Sequence, residues 1–177
     1  LSQFRSDVIY LYGIPQLAVN DITPELAQRV AGRCKNVIGI KYSYPDMPRL
    51  MKFMNVNEGN FSVLAGPDDL FFVTLCAGGD GTVSGNANVI PEHFVAIYDA
   101  FKNGDIEKAR KIQKKTNLMI DYISGPNNMA RYKACLKYRG VIQNAAVREP
   151  LRNLTYTEEK ELIDSLEKMS YLDPAKL

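Results

Sequence analysis

Lys41 ends the run V-I-G-I-K-Y-S, a lysine at the tip of an apolar stretch that reads as a buried strand. An ammonium in apolar surroundings is costly to bury, and burial favours the neutral amine. A neutral, desolvated amine attacks carbonyl carbon, so a lysine so placed is a candidate for Schiff-base chemistry. The plain alternative is a lysine that snorkels from a strand end into water. Tyr12 closes a second apolar run, D-V-I-Y-L-Y, and a phenol there can pass a proton or simply pack on a neighbour. Gly78, Gly79 and Gly81 suggest a phosphate cradle, but they precede a strand rather than join a strand to a helix N-terminus, so that reading fails. Asp68 and Asp69 form a carboxylate pair whose expected duty is helix N-capping, with a substrate hydroxyl as the second reading for Asp68. His93 is the only histidine and reads as a solvated or partly buried bystander.

Composition narrows the classes. Twenty-two basic against 20 acidic residues leave a net charge of +2, which gives no case for nucleic acid or an anionic membrane. The basic stretch Lys108–Lys115 is interleaved with Ile106, Ala109, Ile112 and Thr116 at helical spacing and reads as a solvated helix face. Cys34, Cys76 and Cys135 are odd in number and far apart, without CxxC or Cys/His spacing. A zinc site, a disulfide scaffold and a histidine triad are therefore not expected, no metal site is expected, and a reduced cytoplasmic setting is. No apolar run approaches the ~20 residues of a bilayer span. The chain opens on Leu1 and reaches strand-like sequence within ten residues, which reads as a fragment or processed product.

The elements that must position these residues follow from periodicity. Apolar runs at Val8–Tyr12, Val37–Lys41, Phe61–Ala65 and, briefly, Thr82–Ser84 alternate with helical patterns, the signature of βα units on a parallel sheet. A helix from Pro24 is capped by Thr23 and turns Leu26 and Val30 inward. Others are expected near Pro48–Met54, over Leu70–Cys76 and from Pro91 through Phe101. The rest reads as helix: Ile106–Ile123, a break at 124–128, a helix ending at Gly140, and a linker at 147–154. Thr155 with Glu158 then forms a capping box for a last helix burying Leu162, Ile163, Leu166 and Met169. The expected organisation is 1–101 as strands and helices and 102–177 as a helical segment. Four βα units are half of a (β/α)₈ barrel, whose chemistry sits at the strands' C-terminal ends. Those ends carry Tyr12, Lys41, Gly66 and Ser84. Periodicity alone leaves a doubly wound sheet open.

In order and spacing, L-Y-G-I-P (11–15), G-I-K (39–41), L-A-G-P-D-D (64–69), G-G-D-G-T-V-S-G-N-A-N (78–88) and V-R-E-P-L (147–151) resemble the dihydrodipicolinate synthase / N-acetylneuraminate lyase family of pyruvate-dependent class I aldolases. The resemblance implies the C-terminal half of a (β/α)₈ TIM barrel followed by a C-terminal helical extension, in a protein usually assembled as a dimer or tetramer. It implies pyruvate, or the pyruvyl end of a larger keto acid, held as an imine on Lys41 with no separate cofactor, and an aldehyde or keto-sugar acid as the other substrate. Tyr12 would handle protons, and the region of Gly66 and Val83 would shape the pyruvate pocket. Gly66 is expected to serve first by letting the chain turn tightly. Ser84 lies on the same rim.

Departures from the family pattern bear on the substrate. Synthases usually carry an arginine two residues after the proline of Y-N-x-P, where this chain has Leu17. Ser43, two residues after Lys41, echoes the K-x-T of sialic acid lyases and 2-keto-3-deoxygluconate aldolases, where a hydroxyl can bind a polyhydroxy tail. Gly13 replaces the usual asparagine, and Arg148 is expected to anchor the C-terminal segment. The favoured reaction is cleavage of a 2-keto-3-deoxy sugar acid or sialic-acid-like substrate to pyruvate and an aldehyde. The synthase reaction with aspartate semialdehyde, a dehydratase, and a non-catalytic barrel fragment remain the alternatives. The family's G-T-T-G-E segment does not occur in the chain. Half a barrel would expose two strand edges, so a missing N-terminal half or another subunit is expected as partner.

Overall fold

A computed structural model describes residues 7–170; Leu1 lies outside them. The chain divides into two compact units, Leu1–Ser84 and Gly85–Leu177. The helix opened by Pro91, grouped by sequence with the strands, therefore falls in the second unit.

The first unit is a four-stranded sheet in which every neighbouring pair is parallel: β1 (Ile9–Gly13), β2 (Val37–Tyr42), β3 (Ser62–Ala65) and β4 (Gly81–Thr82). Its order, β1-β2-β3-β4, follows the chain without reversal. A doubly wound sheet reverses order at its switch point, so the four strands are wound in the single sense that a barrel uses. The last strand is earlier and shorter than expected: it ends at Thr82, and Val83 and Ser84 follow it.

Helices close one face of this sheet. Pro15–Ala18 makes a one-turn helix, α1, with proline at its first position. Helix α2 (Pro24–Arg33) starts where the Thr23 hydroxyl accepts the Leu26 N–H, as expected. Its buried stripe is Ala27 and Ala31, with Leu26 and Val30 only half-buried beside it. Small residues at the centre of the contact let the helix axis sit close to the strands. Helix α3 (Met47–Phe53) is capped by Asp46, whose carboxylate accepts the Arg49 N–H. Together they enclose Val37, Ile40, Tyr42, Leu50, Phe53 and Val63, all at most 3% exposed. The Tyr42 and Phe53 rings meet tilted at 5.2 Å between centroids. Helix α4 (Phe71–Cys76) follows a 3₁₀ turn over Asp68–Leu70. That turn's N-cap is Pro67, which makes no side-chain capping bond.

The second unit is helical: α5 (Pro91–Lys102), α6 (Ile106–Ile123), α7 (Asn128–Tyr138) and α8 (Tyr156–Lys168). Helix α6 exposes Lys108, Arg110, Lys111 and Lys114 and buries Ala109, Ile112 and Thr116, the solvated face that its spacing predicts; Ile106, however, points out. His93 is fully buried rather than solvated. The Thr116 hydroxyl donates to the Ile112 carbonyl at 2.8 Å, so it accepts from His93 Nδ1 at 3.1 Å, which places a proton on that nitrogen. The Thr155–Glu158 capping box is present. Leu162, Ile163 and Leu166 are buried and Met169 is half-buried. Arg148 is exposed and offers its carbonyl to Leu151 N–H; the arginine that pins this segment is Arg152, bidentate on Glu158 at 2.8 Å. No helix of the described residues is long and apolar enough to cross a membrane.

Candidate active site

Register decides which side chains meet. Tyr12 of β1 lies opposite Lys41 of β2, and Lys41 opposite Leu64 of β3. Alternation along a strand turns Ile40 and Tyr42 onto the helices and Lys41 to the other face. Tyr10 and Tyr12 share that face, and the Tyr10 ring lies over Gly39, where a Cβ would come within 2.5 Å of it. Lys41 Nζ donates to the Tyr12 hydroxyl at 3.4 Å and sits 4.4 Å from the ring centroid. The amine and the phenol are therefore a contacting pair. The expected burial differs: Lys41 is half-buried and Tyr12 is 52% exposed. The run V-I-G-I-K-Y is apolar because its other residues face the helices, while the lysine faces away from them.

Ser43 joins the pair. Its side chain is the foremost cause holding the Tyr12 pKa below that of an ordinary tyrosine. Partial burial opposes this, and the hydrogen bond and charge of Lys41 add to it. Three neighbours fix Ser43. Its N–H donates to the Gly13 carbonyl at 2.7 Å, and its carbonyl accepts from Gln16 Nε2 at 2.7 Å. Gly66, whose N–H reaches the Tyr42 carbonyl at 2.9 Å, presses against its side chain: a Cβ on Gly66 would stand 2.1 Å from Ser43 Oγ. The φ of Gly66 lies outside the left-handed region, so the glycine serves close approach rather than the tight turn expected of it.

The structure thus gathers Tyr12, Lys41, Ser43 and Gly66. Asp68 stands in the 3₁₀ turn after β3, one strand from Lys41. Val83, 45% exposed, and Ser84 follow β4, two strands away; the Val83 N–H is held by the Ala65 carbonyl at 3.0 Å. Gly78, with a left-handed φ of 102°, and Gly79 carry the chain from α4 into β4. Among the described residues, no group of three or more His, Cys, Asp or Glu is placed to hold a metal ion.

Behind the pair lies a network that sequence reading missed. The buried Tyr42 hydroxyl donates to Asp21 at 3.4 Å and accepts from Arg49 Nη1 at 3.1 Å, and Arg49 is paired with Asp21 and Asp46. Burial raises the Tyr42 pKa, with Asp46 adding to it. Gly13 belongs to this network, because a Cβ there would meet the Tyr42 ring at 2.6 Å. The glycine standing where relatives carry asparagine was the one available signal; Asp21 and Arg49 follow no periodicity.

A singly wound parallel sheet with a lysine and a tyrosine paired at its C-terminal edge defines a class of α/β proteins whose chemistry sits on one rim. Comparison with known proteins makes this specific. Residues 6–169 match the Dihydrodipicolinate synthetase family, and the chain belongs to it. The 4-hydroxy-tetrahydrodipicolinate synthase of Thermotoga petrophila is 34% identical over 144 residues, 79% of this chain and 49% of that protein. Among solved structures, the E. coli K12 prophage protein YagE, a member of the same family in complex with pyruvate, matches with a TM-score of 0.83 at 27% identity, over 93% of this chain and 56% of its own. The dihydrodipicolinate synthase of Thermotoga maritima matches with a TM-score of 0.82 at 30% identity, over 93% and 57%. The chain spans about half the length of the relatives it matches.

Proposed function

We propose that the chain carries the imine-forming part of a pyruvate-dependent class I aldolase, as the C-terminal half of a (β/α)₈ barrel. The observation that carries this reading is the 3.4 Å contact between Lys41 Nζ and the Tyr12 hydroxyl on the open face of a singly wound sheet. In this reading the Lys41 amine condenses with the keto carbon of pyruvate or a larger keto acid and releases water. The protonated imine withdraws electrons from the adjacent C–C bond. As that bond breaks, Tyr12 takes the proton of the neighbouring hydroxyl, an aldehyde leaves, and the enamine picks up a proton before water frees pyruvate. A segment that completes the barrel, from the same polypeptide or another subunit, covers the Tyr10–Tyr12–Lys41 face and buries the amine further. The assembly is a cytoplasmic homo-oligomer.

For the aldehyde half we favour a sugar-acid tail. Leu17, 74% exposed on α1, stands where synthases place a carboxylate-gripping arginine, and Ser43 offers a hydroxyl. Asp68, Val83 and Ser84 are the outer contacts of this reading. The similarity to synthases favours a second reading, condensation of pyruvate with aspartate semialdehyde. Pyruvate release from 2-keto-3-deoxy sugar acids, measured beside pyruvate consumption with aspartate semialdehyde, separates the two. Release from the sugar acids alone supports the first, and consumption with the semialdehyde alone replaces it with the second.

A further inference from the structure

We propose that Arg49 is a positioning residue that sets the spacing between Lys41 and Tyr12, acting through the Tyr42 ring and Gly13; its catalytic meaning rests on the imine reading above. The ladder gives the route. Tyr12 lies opposite Lys41, and the next pair along the same two strands is Gly13 opposite Tyr42. Alternation sends Lys41 to the open face of β2 and Tyr42 to the helices. Whatever fixes Tyr42 therefore fixes the residue bonded to Lys41. Through the ring's contact with Gly13 it also fixes the residue bonded to Tyr12. That contact is close: Gly13 is buried, and a Cβ on it would stand 2.6 Å from Tyr42 Cδ2.

Arg49 decides where the ring stands. Its Nη1 donates to the Tyr42 hydroxyl at 3.1 Å and also pairs with Asp21, which accepts from that hydroxyl in turn. Its Nε approaches Asp46 at 3.5 Å, and Asp46 accepts the Arg49 N–H at 3.0 Å, so the guanidinium is held from the start of its own helix. Asp21 lies between α1 and α2, in the connection that leaves β1. The network thus joins the segment after β1 to the end of β2 and to α3. Without Arg49 the buried Tyr42 hydroxyl keeps only the Asp21 carboxylate at 3.4 Å, and the ring shifts to recover solvation. The reactive contact has little slack. Lys41 Nζ stands 3.4 Å from the Tyr12 hydroxyl, already beyond the usual range of about 2.7–3.2 Å, so opening it by roughly 0.5 Å ends it. Proton transfer is sensitive to such displacements, because a misplacement of about 1 Å costs up to ~100-fold in rate.

The test reads the contact itself. In protein carrying ¹³C-labelled lysine and tyrosine, the NMR cross-peak between the Lys41 ε-methylene and the Tyr12 ring reports their separation; it is assigned from Lys41→Arg and Tyr12→Phe. Arg49→Gln is expected to lose most of this cross-peak. Tyr42→Phe deletes one hydroxyl, keeps the ring's packing on Phe53, and is expected to weaken the cross-peak in the same direction. Leu75→Ala, a truncation of a buried residue in α4 outside the network, should lower stability and leave the cross-peak intact. In turnover assays Arg49→Gln should lose roughly tenfold in kcat with little change in KM. A cross-peak retained at full strength in Arg49→Gln and Tyr42→Phe, or lost equally in Leu75→Ala, overturns the proposal and leaves the network a packing device. Tyr42→Phe decides alone if Arg49→Gln does not fold. Because the cross-peak needs no substrate, a failed imine reading leaves this result standing, and a failed positioning role leaves the imine reading standing.

Discussion

The reactive pair of the sheet unit and the buried or paired polar side chains of the helical unit are treated in opposite ways. In the helical unit they are consumed in structure: Arg139 holds both the Val89 carbonyl and Glu92, Lys137 holds Glu159, and His93 is sealed against Thr116. The Arg139 hydrogen bond keeps the Glu92 pKa below its ordinary value, and burial pushes the Cys135 thiol up to about 12. In the sheet unit the backbone at the strand ends is held from several sides, while Lys41 and Tyr12 stay partly open to solvent and to each other. Rigid main chain beneath accessible side chains is what a reaction site needs. Polar groups locked into pairs serve packing and orientation instead.

Mutations sharpen that contrast. The largest effect is expected from Tyr12→Phe in the assembled enzyme, which should lower kcat by about 10²- to 10⁴-fold while pyruvate still forms an adduct on Lys41. A loss of adduct formation equal to the loss of turnover would move Tyr12 from proton transfer to imine formation. The lowered Tyr12 pKa also places any limb of the pH–rate profile due to this phenol below the ordinary tyrosine range, and Ser43→Ala should move it up. Core truncations come next. Phe53→Ala in the first unit and Leu166→Ala in the second should cost about 3–5 and 2–5 kcal/mol, read from urea unfolding. If only the first also reduces adduct formation, the site depends on its own core and not on the helices.

The smallest effect is electrostatic and belongs to the helical unit. Arg152 holds Glu158 at about 2, below its value in an unfolded chain. A carboxylate so depressed contributes its stabilisation fully above the unfolded value and loses it as pH falls toward about 2. Protection of the first-turn amides of α8, measured against the intrinsic exchange rate at each pH, should therefore fall through that acid window. Arg152→Gln should lower this protection already at neutral pH and flatten the dependence.

Much of this arrangement is legible in the sequence because it follows local rules. Thr23 before Pro24 and Thr155 with Glu158 announce helix starts, and both caps form as read. The spacing of motifs around Tyr12 and Lys41 singled out two residues that the structure places in contact. What failed depends on contacts between distant residues. The burial of Lys41 could not be told from an apolar run, since alternation puts it on the face opposite Ile40 and Tyr42. The role of Gly66 depends on Ser43, 23 positions earlier. Asp21, Arg49 and Tyr42 meet only once β2 and α3 are packed. His93 meets Thr116 23 positions later, a contact that periodicity does not reveal.

The central claim is that Lys41 is the imine-forming amine, and covalent trapping tests it most directly. Protein shown by circular dichroism to be folded is incubated with pyruvate and borohydride and mapped by peptide mass spectrometry. The proposed imine chemistry predicts a reduced pyruvyl adduct on Lys41 that disappears in Lys41→Arg. Folded protein without an adduct, or with label spread over surface lysines and unchanged in Lys41→Arg, would contradict it.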